Sequence, residues 1–327
     1  MEEDFKKIKS EILKSGLPLE SMVSRVIDSA SSKLTHPLIN IGEFFYERQG
    51  KDLPFSIDFN VLHDLDIENC DFMEIVFLIE CKYCTRGTKW FFIPNPVKDA
   101  GMEFFIENFF DNEKCNLKKF PSTSYPLLDR SIPILGKGTE IYSNGQRNEK
   151  TIHEALHQFM FASASQLSRA FMLEDDVAIY MLKRGIDVKR RSFHSLVCPV
   201  IVTTADIHVL ENTDIKEIET SKKIEDFSSL KDISLLSTPR PPIYIQKYIV
   251  EDVAKNTEIF VKSAVMNNKV NQSLEVLKIQ MQTYLTKYST MFPSRHYLVN
   301  YNNLSRFIEQ YIAYSKILLQ YTCNKQT

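Results

Sequence analysis

The chain contains few of the features that mark particular classes of protein. Its nine glycines are scattered over 327 residues and form no Gly-rich loop that could cradle phosphates, so the sequence does not indicate ATP hydrolysis. No apolar run approaches the roughly 20 residues that a membrane-spanning helix needs, so no membrane partner is expected. The net charge of -2 argues against a protein that coats nucleic acid nonspecifically, and any phosphate contact would need local basic patches.

The amino-terminal residues and the cysteines indicate a reducing compartment. The first seven residues carry charges of both signs and lack the apolar region of a secretory signal, which predicts a cytoplasmic location. In such a chain the six scattered cysteines are expected to be reduced. Cys81 and Cys84 form a single Cys-x-x-Cys pair without a second pair, so a structural zinc site is not predicted.

An apolar run over residues 76–79 ends in the charged triplet Glu80-Cys81-Lys82. Residues two apart in a strand share a face, so Glu80 and Lys82 are expected to project together while Cys81 points the other way. Burying charges at the end of a core strand costs several kcal/mol unless a partner or a metal compensates them. The triplet is therefore a candidate functional site.

The preceding segment supplies a second acidic residue. Apolar side chains alternate with polar ones over residues 55–61, which predicts a half-buried strand with Asp58 on its polar face. The polar segment 63–71 fits a hairpin connection, so two adjacent antiparallel strands would bring Asp58 close to Glu80. A carboxylate pair beside an ammonium group can hold Mg²⁺ and position a water for attack on a phosphodiester.

This acid, followed by acid-x-Lys at the end of the next strand, resembles the restriction-endonuclease-like nucleases of the PD-(D/E)xK superfamily. Segments 79–83 and 87–90 are similar to those of bacterial nucleases in this group. The resemblance covers residues 17–215, with the motif itself confined to 56–90. Ile57 stands where the motif has the proline of its name, a substitution common in the group.

The resemblance implies a DNA endonuclease of restriction or phage-defence type that uses Mg²⁺ or Mn²⁺ and binds double-stranded DNA. Lys82 would orient or deprotonate the attacking water, and Gln158, on the helix that follows the catalytic strand, would lie near the site. Arg86 and Lys89 form a basic patch with Lys82 and are candidates for nucleic-acid binding. The residues implied for metal binding are Asp58, Glu80, Cys81 through its carbonyl, and Glu20 from the first helix.

Hydrophobic periodicity predicts an α/β fold. The predicted helices cover residues 17–33 and 149–183, and the predicted strands cover 39–49, 54–62, 74–83 and 197–204. This order matches the αβββαβ core of the resembled family, built on a small mixed sheet. We expect a nuclease core over 1–215 with an insertion around 94–148, a linker or ordered loop over 216–242, and a helical region over 243–327.

A rival motif, His-Glu-x-x-His, occupies residues 153–157. On a helix, His153 and His157 would face the same way and could bind Zn²⁺ with Glu154 as general base, as in zinc metallopeptidases. The pattern fits equally well if the two histidines are partly buried helix residues that form hydrogen bonds and bind no metal. The plausible third ligands are Glu174, Asp175 and Asp176. A third alternative is a catalytically inert subunit that binds nucleic acid or serves assembly.

The carboxy-terminal region is rich in aromatic residues, which suit both a core and an interface. These residues are Tyr284, Tyr288, Phe292, Tyr297, Tyr301, Phe307, Tyr311, Tyr314 and Tyr321. An enzyme that cuts both strands needs two active sites, and a twofold dimer supplies them most simply, so a homodimer is expected.

Overall fold

A computed structural model shows the fold of most of the chain. It describes residues 2–46, 55–65, 72–95, 104–107, 110–111, 116–117, 131–148, 150–172, 174–183, 193–237, 241–267, 272–291 and 295–324. Within this part of the chain, no helix combines the length and hydrophobicity needed to cross a membrane.

The predicted helix 17–33 is confirmed closely, whereas the predicted helix 149–183 is divided into two α-helices and a 3₁₀ segment. Further helices lie within residues 243–327. The helices are α1 (Glu2–Lys14), α2 (Leu17–Ser31), α3 (Lys150–Ser165), α4 (Glu174–Lys183), α5 (Ile215–Thr220), α6 (Ile243–Tyr248), α7 (Ala254–Met266), α8 (Leu274–Met291) and α9 (Leu304–Asn324). A 3₁₀ segment, Gln166–Phe171, follows α3, and a π-helical segment, Ile249–Val253, joins α6 to α7.

The strands include every one predicted between residues 39 and 204. They are β1 (Ile39–Tyr46), β2 (Phe55–Leu65), β3 (Phe72–Lys82), β4 (Lys89–Pro94), β5 (Phe104–Glu107), β6 (Phe110–Asp111), β7 (Asn116–Leu117), β8 (Ile134–Ile141), β9 (Arg147–Asn148), β10 (Phe193–Thr203), β11 (Asp206–Leu210), β12 (Ser228–Lys231), β13 (Ile233–Ser237) and β14 (Arg295–Asn300).

These elements confirm an α/β fold with a mixed sheet, but the sheet is larger than predicted. In the described part of the chain, ten strands form the ladder β1-β2-β3-β10-β14-β13-β8-β4-β11-β12, and β5 and β9 pair with two of its members. The expectation of a small sheet was wrong because strands from the predicted insertion, loop and helical region all add to the same ladder. Each of those strands is short or follows polar residues, so its pattern is weak in the sequence.

The pairing predicted around the charged triplet is confirmed. β2 runs antiparallel to β3, with Phe59 opposite Ile79, and β3 runs parallel to β10 over its whole length. A parallel neighbour requires a crossover connection, and α3 belongs to that connection. β3 is buried over residues 72–81, as expected for a central strand that is covered on both faces.

Two hydrophobic clusters cover the two faces of the sheet. Val76 and Leu78 of β3 pack in the cluster that includes α3 and the α6–α8 helices. Phe77 and Ile79 pack in the opposite cluster with α2 and α9. This alternation follows from the period of two along a strand. Burial of this kind, at about 25 cal/mol per Å² of apolar surface, is the main stabilising contribution to the fold.

Segments outside the predicted nuclease core also contribute strands to the central sheet. Segment 216–242, expected to be a linker or ordered loop, contains β12 and β13, and β13 pairs with β14 and β8. β14, from the predicted helical region, lies beside β10 in the central sheet. Both segments therefore contribute to the sheet that carries the charged triplet.

The carboxy-terminal aromatic residues belong mainly to the core. Tyr297, Phe307 and Tyr311 contact one another, with ring centroids 5.0 to 5.8 Å apart. The buried members of the group are Tyr284, Tyr288, Tyr297, Phe307, Tyr311 and Tyr314. Phe292 and the side chain of Tyr321 lie outside the described residues. Packing rather than self-association explains this composition, and the homodimer stays a prediction.

Candidate active site

Asp58 reaches the charged triplet through an irregularity in β2. The β1–β2 pairing shifts register between Phe44 opposite Ile57 and Gly42 opposite Asn60, so β2 carries one extra residue around Asp58. β-Bulges of this kind re-aim side chains and are frequent beside active sites. As a result Ile57 and Phe59 pack in different clusters, and the predicted unbroken alternation over residues 55–61 was wrong at this point.

The main chain of β3 holds the Asp58 carboxylate in place. The Cys81 amide donates a hydrogen bond to Asp58 Oδ2 over 2.6 Å. The Cys81 thiol is buried in the opposite cluster, and burial raises its pKa far above the ordinary value, so it stays protonated. Cys81 can therefore offer a metal its carbonyl oxygen, as the family resemblance implies, and not a thiolate.

Glu80, Lys82 and Gln158 form one hydrogen-bonded series. Lys82 Nζ lies 2.6 Å from Glu80 Oε1 and 3.3 Å from Gln158 Oε1. Gln158 Nε2 donates to the Ser56 carbonyl over 3.4 Å, which ties α3 to β2. The structure thus places Gln158 against Lys82, although the two residues are 76 positions apart in the chain.

Burial raises the pKa values of both acids. Burial, followed by the neighbouring Asp58 charge, raises the pKa of Glu80 to about 7, and Lys82 offsets part of the shift. Burial also raises the pKa of Asp58, against the Cys81 hydrogen bond. Carboxyl groups in this state favour a cation that can neutralise both of them.

The donor set at these acids fits a hard divalent cation. Glu80 is 3% exposed, and its Oε2 atom is buried without a hydrogen-bond partner among the described residues. Such an orphaned oxygen is costly unless a ligand satisfies it. Mg²⁺ commonly uses one or two carboxylates and keeps several waters, so Asp58, Glu80 and the Cys81 carbonyl suffice.

Glu20 is the additional predicted ligand. Burial and the Asp58 charge raise the pKa of Glu20, so the two carboxyl groups are near each other. Among the residues that the structure describes, however, no three His, Cys, Asp or Glu side chains gather closely enough to hold a metal. The ligand role of Glu20 therefore stays a prediction, and what the structure shows is its electrostatic interaction with Asp58.

A buried glutamate fixes the start of α3, and with it Gln158. The side-chain amide of Asn148 (Nδ2) and the Thr151 hydroxyl donate hydrogen bonds to Glu140 Oε2, over 2.7 and 2.9 Å respectively. Asn148 Oδ1 in turn accepts a hydrogen bond from the Lys150 amide at the first turn. Glu140 is 3% exposed. No motif in the sequence indicates that this glutamate is buried or that it contacts the start of α3.

A cleft of about 680 Å³ opens beside Lys82 and brings the two sequence motifs together. His153, Glu154 and His157 line this cleft together with Lys82 and Gln158. The rival motif therefore lies on the wall of the same cleft as the acid-x-Lys triplet. Sequence spacing alone could not show this, because it depends on how α3 packs over β2 and β3.

The histidine pair is not arranged as a zinc site. His157 Nε2 is hydrogen-bonded to the Tyr244 hydroxyl over 2.8 Å. Within the described part of the chain, no cluster of three or more His, Cys, Asp or Glu side chains could hold a metal ion. The side chains of Glu174 and Asp175 lie outside the described residues. α4 lies away from the histidine pair. Its Tyr180 hydroxyl donates a hydrogen bond to Glu74, which precedes Glu80 by six residues and therefore lies about 20 Å from it along β3.

Arg86 and Lys89 stand apart from the cleft. Arg86 is exposed in the turn between β3 and β4, and Lys89 Nζ lies 3.5 Å from Asp206 Oδ2. Neither side chain lines the cleft, so contact with nucleic acid at these positions stays a prediction about an outer surface.

Comparisons with family models, with curated proteins and with solved structures find no match to this chain.

In EDTA at pH 8, the Glu80→Gln variant is expected to have a higher free energy of unfolding than the wild type. The folded-state pKa of about 7 exceeds the ordinary 4.5, so wild-type stability is lost as pH rises from about 4.5 through 7. Glutamine removes this titration, and the expected gain above pH 7 is about 1–3 kcal/mol.

Urea denaturation of both proteins at pH 4.5 and pH 8 measures this gain. A difference of equal size at both pH values would contradict it. Glu211→Gln, at an exposed glutamate that forms a 3.8 Å ion pair with Lys231, serves as the matched control and should change stability little at either pH.

Proposed function

We propose that this protein is a nuclease that depends on Mg²⁺ or Mn²⁺ and hydrolyses phosphodiester bonds, with DNA as the expected substrate and restriction or phage defence as the expected setting. The observation that carries the proposal is the convergence of Asp58, Glu80, Lys82 and Gln158 from β2, β3 and α3 onto one end of the central sheet. Their order and roles correspond to those implied by the resemblance to PD-(D/E)xK nucleases.

Each side chain has a defined task in this proposal. Asp58, Glu80 and the Cys81 carbonyl would hold the cation, which supplies Lewis-acid polarisation of the phosphate and a more acidic water. Lys82, held between Glu80 and Gln158, orients the attacking water and neutralises charge that develops on the phosphate oxygens. Gln158 is a positioning residue, because its contact is with the Lys82 ammonium group.

Cleavage assays with the full-length protein test the proposal. Plasmid, linear DNA and RNA are incubated with Mg²⁺, with Mn²⁺ or with EDTA, using wild type, Glu80→Ala and the exposed control Glu211→Ala. Wild type and control are expected to cleave in the presence of metal only, and Glu80→Ala is expected to be inactive. Equal background cleavage by all three proteins across substrates and metals would overturn the assignment. Nucleic-acid binding that ignores both metal and Glu80→Ala would instead indicate an inert binding subunit.

A further inference from the structure

The cleft beside Lys82 has a wall of stacked aromatic rings, of which Phe55 is partly exposed while Tyr46 and Phe161 are each 4% exposed. The Tyr46 ring stacks on Phe55 at 5.9 Å with an angle of 19° and on Phe161 at 6.2 Å with an angle of 5°. Tyr244 continues the series behind the wall, 5.9 Å from Phe161 and tilted by 28°. The rings come from β1, β2, α3 and α6, so the series exists only in the folded chain.

The rest of the described lining is polar and includes two lysines, of which Lys82 is paired with Glu80. Among the described lining residues, Lys82 and Lys150 supply two ammonium groups, and Glu154 is the single carboxylate. His153 and Gln158 add hydrogen-bonding groups. This distribution suits an anion that also has a flat apolar part, since the anion can face the lysines while the flat part lies against the partly exposed Phe55 ring.

A nucleotide has this chemistry, and the volume of about 680 Å³ lies within the range of small-molecule sites. We propose that the cleft binds an unpaired nucleotide of the nucleic-acid substrate, next to the phosphate that is cleaved. The proposal rests on the proposed nuclease function, because Lys82 both lines the cleft and belongs to the candidate active site.

The unpaired state follows from the aromatic wall. Inside a duplex both faces of each base are covered by neighbouring bases, and protein side chains reach only the edges in the grooves. Because Phe55 lines a cleft, its ring can stack only on a base that has left the helix or lies in a single strand. The substrate is therefore a single strand, or a duplex in which one nucleotide is extruded at the site of cleavage.

Binding to single-stranded oligonucleotides in EDTA tests this inference without interference from cleavage. Phe55 lines the cleft and is partly exposed, so Phe55→Leu removes a ring with little effect on folding. The dissociation constant for single-stranded DNA or RNA is expected to rise about fivefold to a hundredfold. An oligonucleotide that contains 2-aminopurine should lose fluorescence on binding the wild type, because stacking quenches it, and lose less on binding Phe55→Leu.

Two further variants separate loss of the ring from loss of structure. Phe55→Trp keeps an aromatic face and should bind at near wild-type strength. Phe45→Leu makes the same substitution at a neighbouring strand position that is 59% exposed, whereas Phe44 and Tyr46 pack on the cleft side of the sheet. Phe45→Leu should leave binding unchanged. Unfolding temperatures of all variants establish that they are folded.

The outcomes distinguish this inference from the nuclease proposal. If the protein cleaves paired and unpaired substrates equally well and Phe55→Leu behaves as Phe45→Leu, the inference about the cleft is overturned while the nuclease function stands. If unpaired oligonucleotides bind through Phe55 but no metal supports cleavage, the nucleotide site stands and the proposed activity is overturned.

Discussion

Lys82→Ala is expected to lower the single-turnover cleavage rate by about 10²- to 10⁴-fold, the range typical for loss of one group that positions a reactant or stabilises transition-state charge. The Lys82 side chain is 18% exposed and lies 2.6 Å from Glu80 and 3.3 Å from Gln158, so its ammonium group occupies a fixed position at the cleft. Alanine leaves that position empty, and no other cation among the described lining residues contacts Glu80.

The rate should fall at saturating substrate, with a smaller change in KM, because Lys82 is proposed to act on the transition state. Lys231→Ala is the matched control, since Lys231 also pairs with a glutamate, Glu211, but at 3.8 Å on the surface. A Lys82→Ala enzyme that retains more than a third of the wild-type rate would exclude the proposed role. Metal binding measured by calorimetry should persist in Lys82→Ala, which separates loss of catalysis from loss of the cation site.

Glu140→Ala is expected to have the largest effect on stability, about 3–5 kcal/mol of the free energy of unfolding. The Glu140 carboxylate accepts hydrogen bonds from Trp90 Nε1 at 3.3 Å, Asn148 Nδ2 at 2.7 Å and Thr151 Oγ1 at 2.9 Å. Truncation leaves these donors without their acceptor in a buried region, and each unsatisfied group costs about 1–3 kcal/mol.

Urea denaturation measures the effect, with the exposed substitution Glu211→Ala as the control. A loss below 1 kcal/mol for Glu140→Ala would show that water or a shifted side chain replaces the carboxylate. Because Glu140 also anchors the first turn of α3, the variant should lose cleavage activity in proportion to the displacement of Gln158. Glu140→Gln, which keeps one acceptor oxygen, is expected to be intermediate in stability.

The central part of the fold was predictable because its signals are local. A continuous apolar run predicts β3. The pairing of β2 with β3 follows from two strand patterns separated by a short polar segment. The triplet Glu80-Cys81-Lys82 ends that run, so its position at the end of a core strand could be predicted from the sequence. The pairing with β10 depended on recognising the helix α3 between two strands.

The outer part of the sheet could not be predicted in the same way. β13 has five residues and β14 six, and their neighbours in the sheet come from segments more than 50 residues away. A short strand gains its stability from pairing and from burial on both faces. Both depend on neighbouring segments and cannot be inferred from the residues of the strand alone. The aromatic residues of α9 were equally compatible with an interface, and only the fold shows that they pack against β3 and β14.

By itself the sequence determined the class of fold, the strands β2 and β3, and the acid-x-Lys triplet, because alternation and apolar length act over a few neighbouring residues. The tertiary structure decided the remainder of the site. The extra residue in β2 re-aims Asp58, Glu140 fixes the start of α3, and the packing of α3 places the His-Glu-x-x-His residues and a wall of aromatic rings beside Lys82. Each of these depends on contacts between segments far apart in the chain, whose geometry is set when the hydrophobic clusters form.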